Sequence, residues 1–229
     1  MITIKTGVCG SIIEKSIQDT IKCVENTNTD YVDYLELRID GIKNITSRQT
    51  TQLIEKIRDI TKTPLILTNR TQKEGGLYSM DDQKRTGILK DNAHLVEITD
   101  IELSTDEKLT EQIIKKANKT IISYHNFSKT PDKKYPENII NQASDIGDIP
   151  KIATKPHNMQ DTQKILELQL KYDNLVAISM DDIGSYTRIT GPILGAPITY
   201  ASIKQQTAPG QLDIKTTNRI IKKLKKEKQ

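Results

Sequence analysis

The chain has 229 residues, 28% of them charged with both signs interspersed, 35% hydrophobic and 4% aromatic with no Trp and one Phe. Its core must therefore be aliphatic; a disordered chain is excluded by this balance, and a helical membrane span by the lack of any run approaching the ~18–20 apolar residues a bilayer needs. The net charge of +4 is local, because residues 219–229 (RIIKKLKKEKQ) carry six Lys or Arg and one Glu, which leaves −1 for the rest.

Ile220, Ile221 and Leu224 recur at helical spacing in that tail, which reads as the basic end of an amphipathic C-terminal helix rather than an RNA-binding or membrane-surface segment. The opening MITIKTGVCG lacks the basic, apolar and cleavage regions of a signal peptide, so a cytoplasmic protein is expected. Cys9 and Cys23 are too few for a disulfide framework or a metal knuckle and read as small buried hydrophobes.

Eight β-branched apolar runs follow one another at 2–8, 32–38, 64–70, 94–99, 119–125, 149–154, 174–180 and 197–202. Amphipathic stretches at 11–26, 47–60, 105–118 and 159–173 lie between them, several opening on Ser, Thr or Asp as a helix N-cap does. Eight strand–helix units of roughly 28 residues, with no Gly/Ser linker, predict one α/β domain over 1–229, a (β/α)8 TIM barrel of eight parallel strands with right-handed crossovers. An open doubly wound sheet is the alternative, but GVCGS at 7–11 is a poor match to the phosphate loop it would want. A barrel places its chemistry at the C-terminal ends of its strands.

In chain order, Glu36, Arg38 and Asp40 are spaced by two, so all three are expected on one interior face, either as a salt-bridge plug or as a polar wall for a hydroxylated anion. Arg70 ends the third strand, and Glu74 follows before Gly75 and Gly76, whose freedom allows a tight turn aimed back at the mouth, unless Arg70 and Glu74 are an exposed pair of little energetic consequence. The fifth strand delivers His125, the side chain whose ordinary pKa suits a proton shuttle, although a lone strand-end His is also commonly structural; His94 and His157 receive no chemistry. Lys151 lies inside the apolar run of the sixth strand, where desolvation and cations such as Arg38 or Arg70 would favour a neutral, nucleophilic amine, unless the stem snorkels to water. A Lys and a His on adjacent strands meet the needs of Schiff-base chemistry. Residues 179–212 are rich in Gly, Pro, Ser and Thr; Arg188 is a carboxylate clamp there, and Thr207 and Gln211 sit on a Pro-Gly loop read as a lid or as an ordinary turn.

Taken together, ELRID at 36–40, NRTQKEGG at 69–76, SYHNFSKTP at 123–131, KIATKP at 151–156 and the SM to APGQ stretch at 179–211 resemble the type I 3-dehydroquinate dehydratase family, Schiff-base lyases of the shikimate pathway to aromatic amino acids. The resemblance implies Lys151 as the Schiff-base lysine, His125 as the acid/base, Glu74 as its orienting carboxylate, and substrate contacts at Glu36, Arg38, Arg70, Arg188, Thr207 and Gln211. It implies 3-dehydroquinate as substrate, no cofactor, no metal, no nucleic-acid or membrane partner, and a homodimer. Thr187, Asn126 and Thr207 stand where the family has Ser, Asp and Ser, and Asp181 and Ala196 replace small residues. A class I Schiff-base aldolase barrel, which needs the same lysine, is the alternative enzyme; a vestigial barrel binding RNA through its tail is the non-enzymatic one.

Overall fold

A computed structural model describes residues 4–79, 81–132 and 134–226. Its eight strands are β1 (Gly7–Ile12), β2 (Tyr34–Arg38), β3 (Leu65–Thr68), β4 (Ile98–Glu102), β5 (Thr120–Asn126), β6 (Ile149–Thr154), β7 (Val176–Ser179) and β8 (Ile198–Ser202). All pairings are parallel, in the order β7-β6-β5-β4-β3-β2-β1-β8, a barrel closed except between its seventh and eighth strands. Around it run α1 (Ile17–Glu25), α2 (Ser47–Ile60), α3 (Asp82–Asn92), α4 (Glu107–Ile114), α5 (Lys134–Ile146), α6 (Met159–Lys171), the short α7 (Asp181–Gly184) and α8 (Thr187–Ile193), and α9 (Ile214–Lys226). The barrel expectation holds. None of the described helices is long and apolar enough to cross a membrane.

Helix starts follow the local chemistry. Ser16, Thr46, Asp81, Asp106 and Asn158 each accept a bond from a first-turn N–H, and Thr46 with Gln49 forms a reciprocal capping box. The strands are buried on both faces, so they read as continuous apolar runs. Val8, Leu35, Leu37, Leu65, Leu67, Ile101 and Ile122 point to the helices, while Tyr34, Ile66, Ile98, Ile121, Ile149, Val176 and Ile198 fill the barrel interior near its N-terminal end. Continuing each interior row toward the strand C-termini by twos replaces aliphatic side chains with Glu36, Thr68, Asp100, Ser123 and Lys151, then Arg38, Glu102 and His125. The interior is thus apolar below and ionic above.

Two strand boundaries move. The first strand is Gly7–Ile12 rather than 2–8, of which residues 2 and 3 lie outside the described set, and this places Ser11 opposite Glu36. The fourth is Ile98–Glu102 rather than 94–99, His94 lying in a short 3-10 turn before it. Pairing with the neighbouring strands sets both registers, and the β-branched residues ahead of each strand carry no signal against an earlier start. The tail helix begins at Ile214, and of its expected apolar face only Ile221 is buried; Ile220 and Leu224 remain more than a third exposed. Residues 227–229 of the tail lie outside the described set.

Candidate active site

All nine sequence-identified residues, Glu36, Arg38, Arg70, Glu74, His125, Lys151, Arg188, Thr207 and Gln211, line one cavity at the C-terminal mouth of the barrel. Lys151 is 5% exposed, and its Nζ lies 3.1 Å from Asp100 Oδ2. The expectation that arginines stand against the lysine is corrected here: the charge in direct contact with it is a carboxylate. Burial opposes the charge on Asp100, but Arg70 and Lys151 beside it hold its carboxyl well below the usual carboxylate range.

Arg70 is the hub. One terminal nitrogen lies 2.6 Å from Asp100 Oδ1, and the other donates to Ser123 Oγ at 2.7 Å and lies 3.4 Å from Glu102 and 3.8 Å from Glu74. Against its burial, this carboxylate shell raises the Arg70 pKa. The Ser123 hydroxyl donates to Asp100 Oδ1 at 2.7 Å, and Glu36 accepts from Ser11 and Thr68, each at 2.8 Å.

Asp40 departs from the expected inward row. The strand ends at Arg38, and Asp40 sits in the following 3-10 turn, where it grips Arg38 through two 2.8 Å bonds and accepts Leu77 N–H. It fixes the arginine and is not part of the wall.

Glu74 reaches His125 as anticipated. Its Oε2 is 2.9 Å from Nδ1 and accepts the His125 backbone N–H at 3.1 Å, leaving Nε2 as the nitrogen with no bond among the described residues. Gly75 makes this turn possible: its φ is +77°, and a Cβ there would sit 2.2 Å from the ring of Phe127, which stacks beside His125. Glu102 holds the other end of the turn through Thr71 N–H at 2.7 Å and Thr71 Oγ1 at 2.8 Å. Burial, then Arg70 and Lys151, hold the imidazole of His125 well below its ordinary pKa, so the ring is neutral. Burial, with Glu102 and Asp100 adding to it against Arg70, pushes the Glu74 carboxyl up to about 7. Ala153 faces His125 across the β5–β6 register and leaves space in front of it.

The opposite wall is built differently. Arg188, on α8, is 3% exposed, gives one terminal nitrogen to Pro209 C=O at 3.1 Å, and pairs with no carboxylate among the described residues. Burial lowers its pKa to about 10. Gln211 bonds within its own loop, its Oε1 accepting from Thr207 N–H at 2.8 Å and from Thr207 Oγ1 at 3.1 Å, and Thr207, Ala208 and Gln211 of this Pro-Gly loop line the cavity. Gly210 has φ +76°, and a Cβ there would meet Asp181 C=O at 2.2 Å. Thr187 accepts Ser179 N–H and donates to Gly184 C=O, so its hydroxyl closes the β7–α8 connection. Asn126 ties the turn after β5, accepting from Ser128 and Lys129.

Sequence reasoning missed Asp100, Glu102, Ser11, Thr68 and Tyr200. Extending the fourth strand by three residues would have found the two carboxylates, since Asp100 and Glu102 share the parity of Ile98.

The chain and its fold have known counterparts. A profile of the type I 3-dehydroquinase family matches residues 8–228. The chain is 40% identical over 194 residues to a 3-dehydroquinate dehydratase of Methanococcoides burtonii, covering 82% of this chain and 83% of the relative. It is 36% identical over 222 residues to one of Methanothermobacter thermautotrophicus, covering 97% and 99%. Its fold matches a crystal structure of the type I 3-dehydroquinate dehydratase from Clostridium difficile with covalently modified comenic acid, at a TM-score of 0.90 and 28% identity, over 98% of this chain and 94% of that one. With profile and relatives both running nearly the whole length of the barrel, the chain belongs to the type I 3-dehydroquinase family of lyases.

Proposed function

We propose that this protein removes water from 3-dehydroquinate to give 3-dehydroshikimate through an imine on Lys151. The observation that carries the reading is the meeting, in one cavity, of a buried lysine, a neutral histidine held by a carboxylate, and a buried arginine without an acidic partner. Curated relatives of the chain carry the name of this activity.

Lys151, as the neutral amine, adds to the C3 carbonyl, and loss of water from the carbinolamine leaves an iminium. The positive charge stays at Nζ, beside Asp100. The iminium withdraws electrons from C2, whose proton passes to His125 Nε2; the resulting enamine expels the C1 hydroxyl, which leaves as water with that same proton. Hydrolysis of the conjugated iminium consumes the equivalent of water released on its formation and frees the lysine, so one water is lost overall. His125 starts neutral, as a base must, and Glu74 on Nδ1 keeps Nε2 for the substrate. Arg188 takes the substrate carboxylate, Glu36, Arg38 and Arg70 bound its ring hydroxyls, and Thr207 and Gln211 cover it.

The test is direct. Purified protein mixed with 3-dehydroquinate is expected to develop the absorbance of a conjugated enone, and His125→Ala to do so at least a hundredfold more slowly, at the low end of the ~10²–10⁴ that acid/base catalysis supplies. Folded wild-type protein that leaves the substrate unchanged would overturn the reading.

A further inference from the structure

One polar group in the cavity has no part in the mechanism above. Tyr200, in the middle of β8, faces the barrel interior opposite Cys9 and is 3% exposed. Lys151 Nζ lies over its ring, 4.0 Å from the centroid. Its hydroxyl is buried with no hydrogen-bond partner.

A buried hydroxyl without a partner is costly, and Phe would fill the same space without that cost. Five buried side-chain atoms are in this condition among the described residues, on Asn69, Thr99, Ser179, Arg188 and Tyr200. Only Arg188 and Tyr200 line the cavity. The two are also tied together in the fold, because Thr199, next to Tyr200, donates its hydroxyl to Arg188 C=O at 2.6 Å. The two unmet donors of the cavity therefore stand on adjoining segments, on the wall where protein partners are missing.

We infer that Tyr200 is a further catalytic residue of this site: its ring face stabilises the positive charge that forms on Lys151 Nζ in the iminium, and its hydroxyl bonds the substrate. The inference rests on the 3-dehydroquinate reading. An aromatic face attracts a cation, and more strongly when water is excluded. The ketone carries no charge and the iminium does, so the ring favours the intermediate over the bound ketone. Burial, then Glu36, push the phenol well above its ordinary pKa, so it stays a neutral donor and acceptor, suited to a ring hydroxyl or to the second oxygen of a carboxylate held by Arg188.

Steady-state kinetics, borohydride trapping and melting of wild type, Tyr200→Phe and Tyr200→Leu test it. Tyr200→Phe keeps the ring and removes the orphan: KM is expected to rise about tenfold, the worth of one hydrogen bond, with kcat kept and the melting temperature of the free protein equal or higher. Tyr200→Leu is expected to lose about a further tenfold, in kcat and in the trapping rate at saturating substrate. Tyr200→Phe with an unchanged KM would overturn the role of the hydroxyl, and Tyr200→Leu with the kcat of Tyr200→Phe would overturn that of the ring. Tyr200→Met, of similar volume, replaces Tyr200→Leu if the latter does not fold. Wild type that neither turns over 3-dehydroquinate nor forms the adduct would remove the underlying reading, and the inference with it.

Discussion

The two walls of the cavity are opposites. From β2 to β6, Arg38, Arg70, Asp100, Ser123, Glu74 and His125 complete one another's hydrogen bonds without any ligand. From β7 to the 207–211 loop, Ile178 of the strand and Met180 just after it are apolar, and among the described residues Arg188 has no counter-charge and the Tyr200 hydroxyl no hydrogen-bond partner. The first wall is organised before substrate arrives, which is what fixing a base and a nucleophile requires. On the proposed function the second is finished by the substrate, as suits recognition of an anion: a buried charge left unpaired favours any ligand that neutralises it.

The most severe way to break this division is at the reacting atoms. Lys151→Ala is expected to abolish both turnover and any borohydride-stable adduct, and His125→Ala to lose about 10²–10⁴ in kcat. The two arginines then separate the walls. Arg70→Met leaves Glu102 with no cation among the described residues and Asp100 with Lys151 alone, and is expected to cost about 3–5 kcal/mol of folding stability, read by urea denaturation. Arg188→Met removes a buried unpaired charge, so stability should hold or rise while kcat/KM falls roughly 10–100-fold, the range for a hydrogen bond to a charged group. If both arginines prove equally destabilising, the contrast is wrong.

A finer test uses pH. The Glu74 carboxyl is raised from its ordinary 4.5 to about 7 in the folded state, so the native protein holds a proton that the unfolded chain has released over that interval. The associated stability is present below pH 4.5 and is lost as pH rises to about 7, by about 3 kcal/mol. His125, lowered in the folded state, acts in the opposite sense below its unfolded pKa of about 6.5. The difference between wild type and Glu74→Gln therefore isolates the carboxylate and should shrink between pH 4.5 and 7. The same ionisation should give kcat/KM an acid limb near pH 7 that Glu74→Gln lacks. Glu102→Gln is the mildest change: it loosens the Thr71 turn that carries Glu74, and kcat should fall roughly tenfold with KM kept, about the worth of one bond.

Legibility in the sequence follows the same divide. α2 and β6 lie where the periodicity puts them, because strong amphipathic or β-branched patterns agree with the packing. α8 does not: Gly191 and Pro192 read as loop, yet the segment is helical because it packs on both β7 and β8 across the gap in the barrel. Residues of rare type for their place, Lys151 in an apolar strand above all, were visible as candidates. Asp100 was not, because a carboxylate after a short apolar run reads as the end of a strand, and only pairing with β3 and β5 carries it inside. Tyr200 was invisible for the opposite reason, since an aromatic in a strand reads as core, and it is the lysine over its ring and its unpartnered hydroxyl that mark it as more.

The central claim is that Lys151 is the nucleophile. Wild-type protein mixed with 3-dehydroquinate and sodium borohydride, analysed by intact mass and peptide mapping, tests it most directly. One stable ligand adduct is expected, on the peptide containing Lys151 and absent from Lys151→Ala. An adduct on another lysine, or none from folded protein that turns the substrate over, would contradict it.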